Sequence, residues 1–302
     1  MEKLKIPANP HKKWRFDLFF ALVFFFLLLY VVSLALPVFW TLLTALKSPK
    51  EFDFNGNVLG WPTEASFSNF VTAYKNFFVR VYSKGDTYYF YMGDLFANSI
   101  YYTIGCAVAA TITPCFVAYV VVNYPYKFGK IIYAIVIVAM ALPIIGALPS
   151  EIQVSKTLGI YDTFVGLWIM KANFLGIYFL VFYAQFKMIP KDYIEAAKVD
   201  GAGNFRIMFQ VILPFALGTM LTVFLLNFIT YWNDYQIPMI YLPSHPVAAY
   251  GMYVFQMSTE TALANTPVKL AGIFLMAAPI VLVALIFSRR LMANLSVGGV
   301  KE

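Results

Sequence analysis

The residue types that perform chemistry in enzymes are scarce in this sequence and unfavourably spaced. The two cysteines, Cys106 and Cys115, are nine positions apart and fall on roughly opposite faces of a helix, so we expect no disulfide between them. The two histidines, His11 and His245, lack metal-ligand spacing. The one Gly-Lys pair, at 129–130, lacks the upstream glycine and following hydroxyl of a phosphate-binding loop. The sequence therefore predicts no catalytic residue, no metal site and no ATP site in this chain.

The composition is that of an integral membrane protein. Hydrophobic residues make up 61% of the chain and charged residues 12%, with a mean hydropathy of +0.72, which leaves too few charges to solvate a soluble surface. A disordered chain, a nucleic-acid-binding domain and a secreted disulfide scaffold are excluded, because each needs a high charge density or many cysteines. We therefore expect the lipid membrane as the surroundings and no nucleic acid as a partner.

Uncharged apolar stretches of about 20 residues predict six membrane-spanning helices. A further uncharged stretch, Tyr235 to Thr259, contains Pro238, Pro243 and Pro246, and we predict an external loop there because proline breaks helices. The predicted spans one to six are Leu18 to Leu46, Leu95 to Tyr126, Ile131 to Ser150, Thr163 to Phe186 (interrupted by Lys171), Ile207 to Asn233 and Leu270 to Ser288.

The distribution of basic residues predicts the orientation. If the N-terminus is cytoplasmic, the cytoplasmic segments hold 14 of the 22 lysines and arginines but only 6 of the 15 acidic residues, as the positive-inside rule requires. We expect a multi-pass protein with both termini in the cytoplasm. The predicted segments are a cytoplasmic N-terminus (1–17), a six-helix transmembrane domain (18–291) with external loops at 47–94 and 242–269 and a cytoplasmic loop at 187–213, and a cytoplasmic tail (292–302).

The cytoplasmic loop between spans four and five has the pattern of a helix, a turn and a second helix. Pro190 can start a helix, Glu195 favours its first turns, and the alanines at 196–197 continue it. Gly201 and Gly203 then permit a sharp change of direction. Small residues at such a corner let another backbone approach closely, so a docking element is favoured over an ordinary amphipathic interface loop.

The same loop resembles the E-A-A-x-x-D-G-A and I-x-L-P pattern of ABC importer permeases. Further blocks resemble the MalG-like second permease subunit of maltose and multiple-sugar importers, and together they extend over nearly the whole chain. The matching positions are Glu195, Ala196, Ala197, Asp200, Gly201 and Ala202, then 212–214, with further blocks at 98–99, 142–143, 158–163, 232–234 and 298–301.

The resemblance implies an all-α integral membrane protein with six transmembrane helices in the type I ABC importer permease fold. It implies three kinds of partner for a protein of a prokaryotic inner membrane: a second homologous permease subunit forming a heterodimer, two ATPase subunits that bind ATP and Mg, and an extracytoplasmic sugar-binding protein. It assigns ATPase coupling to the E-A-A positions. It also places the tail residues Gly298, Gly299, Val300 and Lys301 at the ATPase, although their composition alone favours a frayed end.

Polar residues in the predicted spans are candidates for a solute route. Asn227, Thr230 and Asp234 share one helical face at i, i+3 and i+7, with Tyr231 beside them. Such a face indicates either helix packing or a water-filled route, and both remain open. Lys171 is the one full charge well inside a predicted span; it either snorkels or pairs structurally, or it lines the route.

These observations predict a transmembrane permease subunit of an ATP-driven, binding-protein-dependent oligosaccharide importer, with ATP hydrolysis in a separate subunit. The nearer alternative is a permease for another solute, such as glycerol phosphate or a polyol. A stand-alone secondary transporter is the alternative from another class; it would need ionisable residues near the midplane for ion coupling, of which only Lys171 is present.

Overall fold

A computed structural model of the protein describes residues 18–83, 85–124, 127–142, 146–258 and 265–296, and these are mostly helical. The elements in chain order are α1 (Leu18–Ala45), a π-helical turn (Lys50–Phe54), α2 (Ser68–Asn76), β1 (Phe78–Ser83), β2 (Asp86–Tyr91), α3 (Met92–Asn123), α4 (Lys127–Ala141), α5 (Leu148–Thr157), α6 (Phe164–Lys171), α7 (Ile177–Lys187), α8 (Asp192–Val199), α9 (Asn204–Arg206), a second π-helical turn (Ile207–Ile212), α10 (Leu213–Trp232), α11 (Gln236–Tyr241), α12 (Ala248–Met257) and α13 (Thr266–Ser296).

Three helical runs in the described residues are long and apolar enough to cross a membrane. They are α1, α3 and the run Asn204–Trp232, which joins α9, the second π-helical turn and α10. These correspond to predicted spans one, two and five. A shorter apolar stretch, Thr266–Leu282, lies where span six is predicted. The apolar content of the sequence thus locates these elements correctly.

Predicted spans three and four are not single helices. In the third, α4 ends at Ala141 and α5 begins separately at Leu148. In the fourth, α6 ends at Lys171 and α7 begins at Ile177. Hydropathy does not reveal the second break, because residues 172–176 carry no charge and are mostly apolar.

Helix α3 is the central helix of the described structure. It packs against α10 and α7 and, more locally, against α6, α12 and α4. Small side chains permit these close approaches: Cys106, Ala107 and Cys115 are fully buried, and both cysteines are free. By contrast, α1 buries only its last residues, Thr44 and Ala45, so most of its apolar surface is left for lipid or another subunit.

The prediction of an all-α protein is wrong in one place. Strands β1 and β2 form an antiparallel hairpin in which Phe78 pairs with Tyr91 and Ser83 with Asp86. Both strands are rich in β-branched and aromatic residues, which fit a pleated surface. Gly85, in the turn, has a φ of 91°, a value that side-chain-bearing residues rarely adopt. The aromatic residues at 88–91 therefore belong to the second strand of this hairpin.

The uncharged stretch from Tyr235 onward is also more regular than predicted. It contains α11 and α12, and Pro238 lies inside the first turn of α11. Proline is tolerated there because the first amides of a helix have no carbonyl partner within the helix. Ala248, Gly251 and Phe255 of α12 are buried. This segment therefore packs against the protein instead of extending away from it.

Candidate functional site

The segment with the E-A-A pattern forms a helix that ends in a well-defined cap. The Gly201 amide donates to the Lys198 carbonyl at 3.0 Å, and the Ala202 amide donates to the Ala197 carbonyl at 2.9 Å. This pair of bonds is a Schellman motif, in which the residue after the C-cap adopts a left-handed conformation. Gly201 has a φ of 78°, whereas Gly203 has a φ of −72°. Of the two glycines, only Gly201 has a conformation that favours glycine.

The outer face of this segment is open to a partner. Glu195, Ala196, Asp200 and Gly201 are exposed, and α8 has no buried residue. The opposite side is anchored, because the partly buried residues Ile194, Ala197 and Ala202 pack against the core cluster formed by α3, α7 and α10. The predicted coupling residues thus form one continuous segment with a free face and an attached face.

Three apolar side chains in this segment or next to it in the chain are strongly exposed. Val199 is 88% exposed, Phe205 79% and Met188 71%. Exposed apolar groups clustered beside charged ones are typical of a protein interaction surface. The sequence pattern identified the small and charged residues of this surface but gave no signal for these three.

Of the predicted route residues, three come together around one cavity. Asn227, Tyr231 and Lys171 line a cavity of about 220 Å³, together with Asn173 and Tyr178. Asn227 is buried and donates from Nδ2 to Oγ1 of a threonine in α3. The Lys171 ammonium lies 5.8 Å from the centroid of the Tyr231 ring, within cation–π range.

The other two predicted route residues make contacts elsewhere. Thr230 is exposed, and its hydroxyl donates to the Leu226 carbonyl one turn earlier. Asp234 accepts a hydrogen bond from the Tyr102 hydroxyl at 2.9 Å and two more, each at 3.1 Å, from the amides of Gln236 and Ile237. The Asp234 carboxylate therefore holds α11 against α3.

The predicted tail contacts, Gly298, Gly299, Val300 and Lys301, lie outside the residues that the structure describes.

A second cavity, which the sequence did not predict, lies between the hairpin and α12. It has a volume of about 450 Å³, and its lining includes Phe78, Arg80, Tyr250 and Tyr253. The Arg80 guanidinium lies 5.2 Å from the Phe78 ring centroid and 5.9 Å from that of Tyr89. An arginine among aromatic rings suits recognition of a partner's polar surface or a sugar ring.

Two charged residues beyond α1 hold the loop that precedes α2. Lys47 donates from Nζ to the carbonyls of Asn57 (2.8 Å) and Val58 (3.1 Å). Burial lowers the pKa of Lys47, and the attraction of Glu51 partly offsets this. Burial alone would raise the pKa of Glu51, but hydrogen bonds from Thr63 and Asn57 and the charge of Lys47 bring it below its ordinary value. The hydrogen bonds and charges of Lys47 and Glu51 therefore stabilise the loop between α1 and α2.

Tyr241 and Glu151 join α11 to α5. The Tyr241 hydroxyl donates to the Glu151 carboxylate at 2.9 Å. Burial, followed by this bond to a carboxylate, raises the pKa of Tyr241 to about 12. The phenol is therefore neutral and donates the bond throughout the physiological pH range.

The comparisons with known proteins match the larger part of the chain. Residues 110–297 match the family described as "Binding-protein-dependent transport system inner membrane component". The chain belongs to this family. The match includes α8, Gly201 and the cavity around Lys171. The resemblance to ABC importer permeases is confirmed, and the protein is a membrane translocation component.

Named relatives cover nearly the whole chain. The diacetylchitobiose uptake system permease protein NgcG of Streptomyces coelicolor is 25% identical over 275 residues, covering 90% of this chain and 86% of the relative. The arabinooligosaccharides transport system permease protein AraQ of Halalkalibacterium halodurans is 23% identical over 304 residues, covering 99% of this chain and 100% of the relative.

A solved structure has the same fold. A crystal structure of a bacterial ABC transporter involved in the import of the acidic polysaccharide alginate matches with a TM-score of 0.73 at 21% identity, covering 93% of this chain and 99% of that chain. At this identity the likeness is one of fold, and the fold is that of an ABC importer permease.

Proposed function

We propose that this chain is a transmembrane permease subunit of an ATP-driven, binding-protein-dependent oligosaccharide importer. It forms one half of the translocation pathway, and a second homologous permease subunit forms the other. The observation that carries the proposal is the exposed α8 segment, capped at Gly201, in a chain of the binding-protein-dependent transport family.

In this proposal α8 is the coupling helix. It docks in a cleft of a separate ATPase subunit, and two such ATPases bind ATP and Mg beneath the permease pair. Glu195 and Asp200 set the register of docking, and Ala196 and Gly201 allow close approach because their side chains are small or absent. Movement of the ATPase is transmitted as rigid-body movement of α8 because the helix is anchored to the core by Ile194.

The chain crosses a prokaryotic inner membrane six times, with both termini in the cytoplasm. The six spans are α1, α3, α4, the α6–α7 pair, the run ending in α10, and α13. The charge distribution supports this orientation, because the loop that carries α8 is rich in basic residues. In this proposal the tail residues Gly298 to Lys301 contact the ATPase.

The external face meets the solute-binding protein. The hairpin and α12 lie on this face in the proposed orientation, and exposed Tyr82, Tyr88 and Tyr89 provide an aromatic contact surface. In this arrangement Asn227, Thr230, Tyr231, Asp234 and Lys171 belong to the span region through which solute passes.

Oligosaccharide is the proposed cargo because relatives covering most of the chain are named for the uptake of diacetylchitobiose and arabinooligosaccharides. A permease for another solute, such as glycerol phosphate or a polyol, is the alternative within the class. A stand-alone secondary transporter is the alternative outside it.

Reconstitution in liposomes tests the proposal. The chain, co-purified with its partner permease and ATPase subunits, is expected to take up labelled oligosaccharide only when ATP and the binding protein are supplied. Uptake by this chain without an ATPase subunit would contradict the proposal. ATP-driven uptake of a polyol but not of an oligosaccharide would support the alternative solute.

A further inference from the structure

We propose that the cavity around Lys171 is a solute subsite for a hydroxylated anion, so that the imported solute carries a carboxylate or phosphate group. The inference rests on the proposed function, because it assumes that the cavity lies on the solute route. It adds the charge of the solute, which the family description leaves open: the two named relatives are named for neutral sugars, and the solved structure for an acidic polysaccharide.

The size and lining of the cavity suit one small polar unit. Its volume of about 220 Å³ is below the roughly 300–1,000 Å³ of pockets for drug-sized ligands, so it would hold one sugar ring or a short polyol. Asn173, Asn227 and Tyr231 bring amide and phenol groups to its wall. Such groups both donate and accept hydrogen bonds, as solute hydroxyls require.

The charge at this cavity is not balanced within the described part of the chain. No carboxylate there lies at ion-pair distance from the Lys171 ammonium. Asp234, which like Lys171 is in electrostatic range of Cys106, is held by the Tyr102 hydroxyl and two amides of α11. A cation in a membrane span is costly unless an anion or water compensates it. An anionic solute group would supply that compensation.

The break between α6 and α7 adds positive potential at the same place. Gly176 and Tyr178, at the start of α7, line the cavity beside Lys171. The Phe179 amide donates to the Gly176 carbonyl at 3.2 Å, so the amides of Ile177 and Tyr178 carry the positive end of the dipole of this 11-residue helix. Discontinuous membrane helices place such ends toward anionic groups of transported solutes. The lysine and the helix terminus therefore favour the same sign of ligand.

The competing explanation is a structural pair. Asn173 is exposed, so the cavity opens on the surface of the subunit, and a carboxylate of the second permease subunit could reach Lys171. In that case Lys171 would be needed for assembly and would not discriminate between solutes. The two explanations predict different effects of the same substitution.

Saturation-transfer NMR on the purified transporter complex, without its binding protein, separates them. The probes are D-glucuronate, sn-glycerol 3-phosphate and neutral D-glucose. In the wild type at least one anion is expected to bind more tightly than glucose. Lys171→Gln should weaken the binding of that anion about tenfold or more, as expected for loss of a charge-assisted hydrogen bond, and leave the binding of glucose nearly unchanged. Lys171→Arg, which keeps the charge, should retain the preference. Binding of glucuronate alone would identify a carboxylate, and binding of glycerol phosphate alone a phosphate.

Equal binding of glucose and both anions, or unchanged anion binding by Lys171→Gln, would overturn the inference. The inference would also be overturned if the Lys171→Gln variant lost the second permease subunit on gel filtration but still preferred the anions. ATP-dependent oligosaccharide uptake, measured in parallel, keeps the two proposals apart. If oligosaccharide is taken up but anion binding does not depend on Lys171, only the subsite is refuted. If anion binding depends on Lys171 but oligosaccharide is not taken up, only the proposed cargo is refuted.

Discussion

The Asn227 side chain donates a hydrogen bond from Nδ2 to the Thr111 hydroxyl oxygen, at 3.2 Å, in the buried contact between α10 and α3. The bond lies beside the cavity that Asn227 also lines. One polar side chain thus takes part in helix packing and in the wall of the proposed route, the two roles that the sequence left open.

The packing role predicts energetic coupling between these residues. In a double-mutant cycle of Asn227→Ala and Thr111→Val, the coupling free energy of unfolding should be about 0.5–1.7 kcal/mol, the range of interhelical hydrogen bonds in membranes. Denaturant titration of the purified protein in detergent measures it. Strictly additive effects would show that the bond contributes nothing to stability.

The cap of α8 predicts different effects at two nearby glycines. Gly201→Val places a β-branched residue at a φ of 78°, a strain of about 1–3 kcal/mol, so ATPase co-purification and ATP-dependent uptake should fall sharply while membrane insertion persists. Gly203→Val is the matched control, because a φ of −72° suits any residue and no atom lies within 4 Å of its new Cβ. Wild-type coupling by Gly201→Val, or an equal loss in both variants, would refute the docking geometry.

The packing of α12 predicts that a single methyl group is harmful at one glycine. A Cβ on Gly251 would lie 2.7 Å from Leu95 Cδ1 and 2.9 Å from the Phe77 ring, whereas a Cβ on Gly93 would meet nothing within 4 Å. Gly251→Ala should therefore destabilise the protein by about 1–3 kcal/mol through overpacking. Gly93→Ala should be neutral or stabilising, since alanine favours helix. Thermal unfolding in detergent compares them; equal midpoints would show that α12 does not pack as described.

The lowered pKa of Glu51 predicts a pH-dependent loop. Glu51 Oε1 accepts hydrogen bonds from Asn57 Nδ2 (2.6 Å) and the Thr63 amide (2.8 Å). Because the folded-state pKa is below the ordinary value of 4.5, the stabilisation is full above pH 4.5 and is lost as the pH falls through the lowered pKa. Hydrogen-exchange protection of the Thr63 amide, corrected for intrinsic rates, should therefore decrease as the pH falls through the lowered pKa of Glu51.

Two variants check that assignment. Glu51→Gln should show weaker protection of the Thr63 amide with little dependence on pH, whereas the exposed neighbour substitution Asp53→Asn should behave as the wild type. Protection in the wild type that stays constant as the pH falls, until the whole protein unfolds, would contradict the assignment, since the carboxylate would then not control the loop.

Sequence patterns predicted the fold where the signal was local. The apolar run of α1 was located to within one residue of its end because Lys47 marks the first charge beyond it. The pattern around Gly201 predicted the helix and turn, because a left-handed cap needs a residue without Cβ. Such features depend on neighbouring residues alone.

Features set by distant contacts were not predictable in the same way. The hairpin depends on the pairing of Phe78 with Tyr91, and α12 is held by burial of Phe255 beside Phe77, with ring centroids 4.8 Å apart. In the candidate route, helical spacing placed Asp234 on one face with Asn227. In the structure Asp234 accepts hydrogen bonds from the first amides of α11, a helix that was not predicted because of the prolines in this stretch. Asn173, which lines the cavity, gave no signal because it lies in the unpredicted break.

Photo-crosslinking at α8 tests the central claim, that this exposed segment couples the permease to an ATPase. A photoreactive amino acid replaces Val199, which is 88% exposed beside Gly201, and in a control variant Val154, which is 57% exposed on α5 and external in the proposed orientation. On irradiation of the assembled transporter in membranes, position 199 should form an adduct with the ATPase subunit whose yield changes on ATP binding, and position 154 should form none. An intact complex without an ATPase adduct at position 199, or with equal adducts at both positions, would contradict the account.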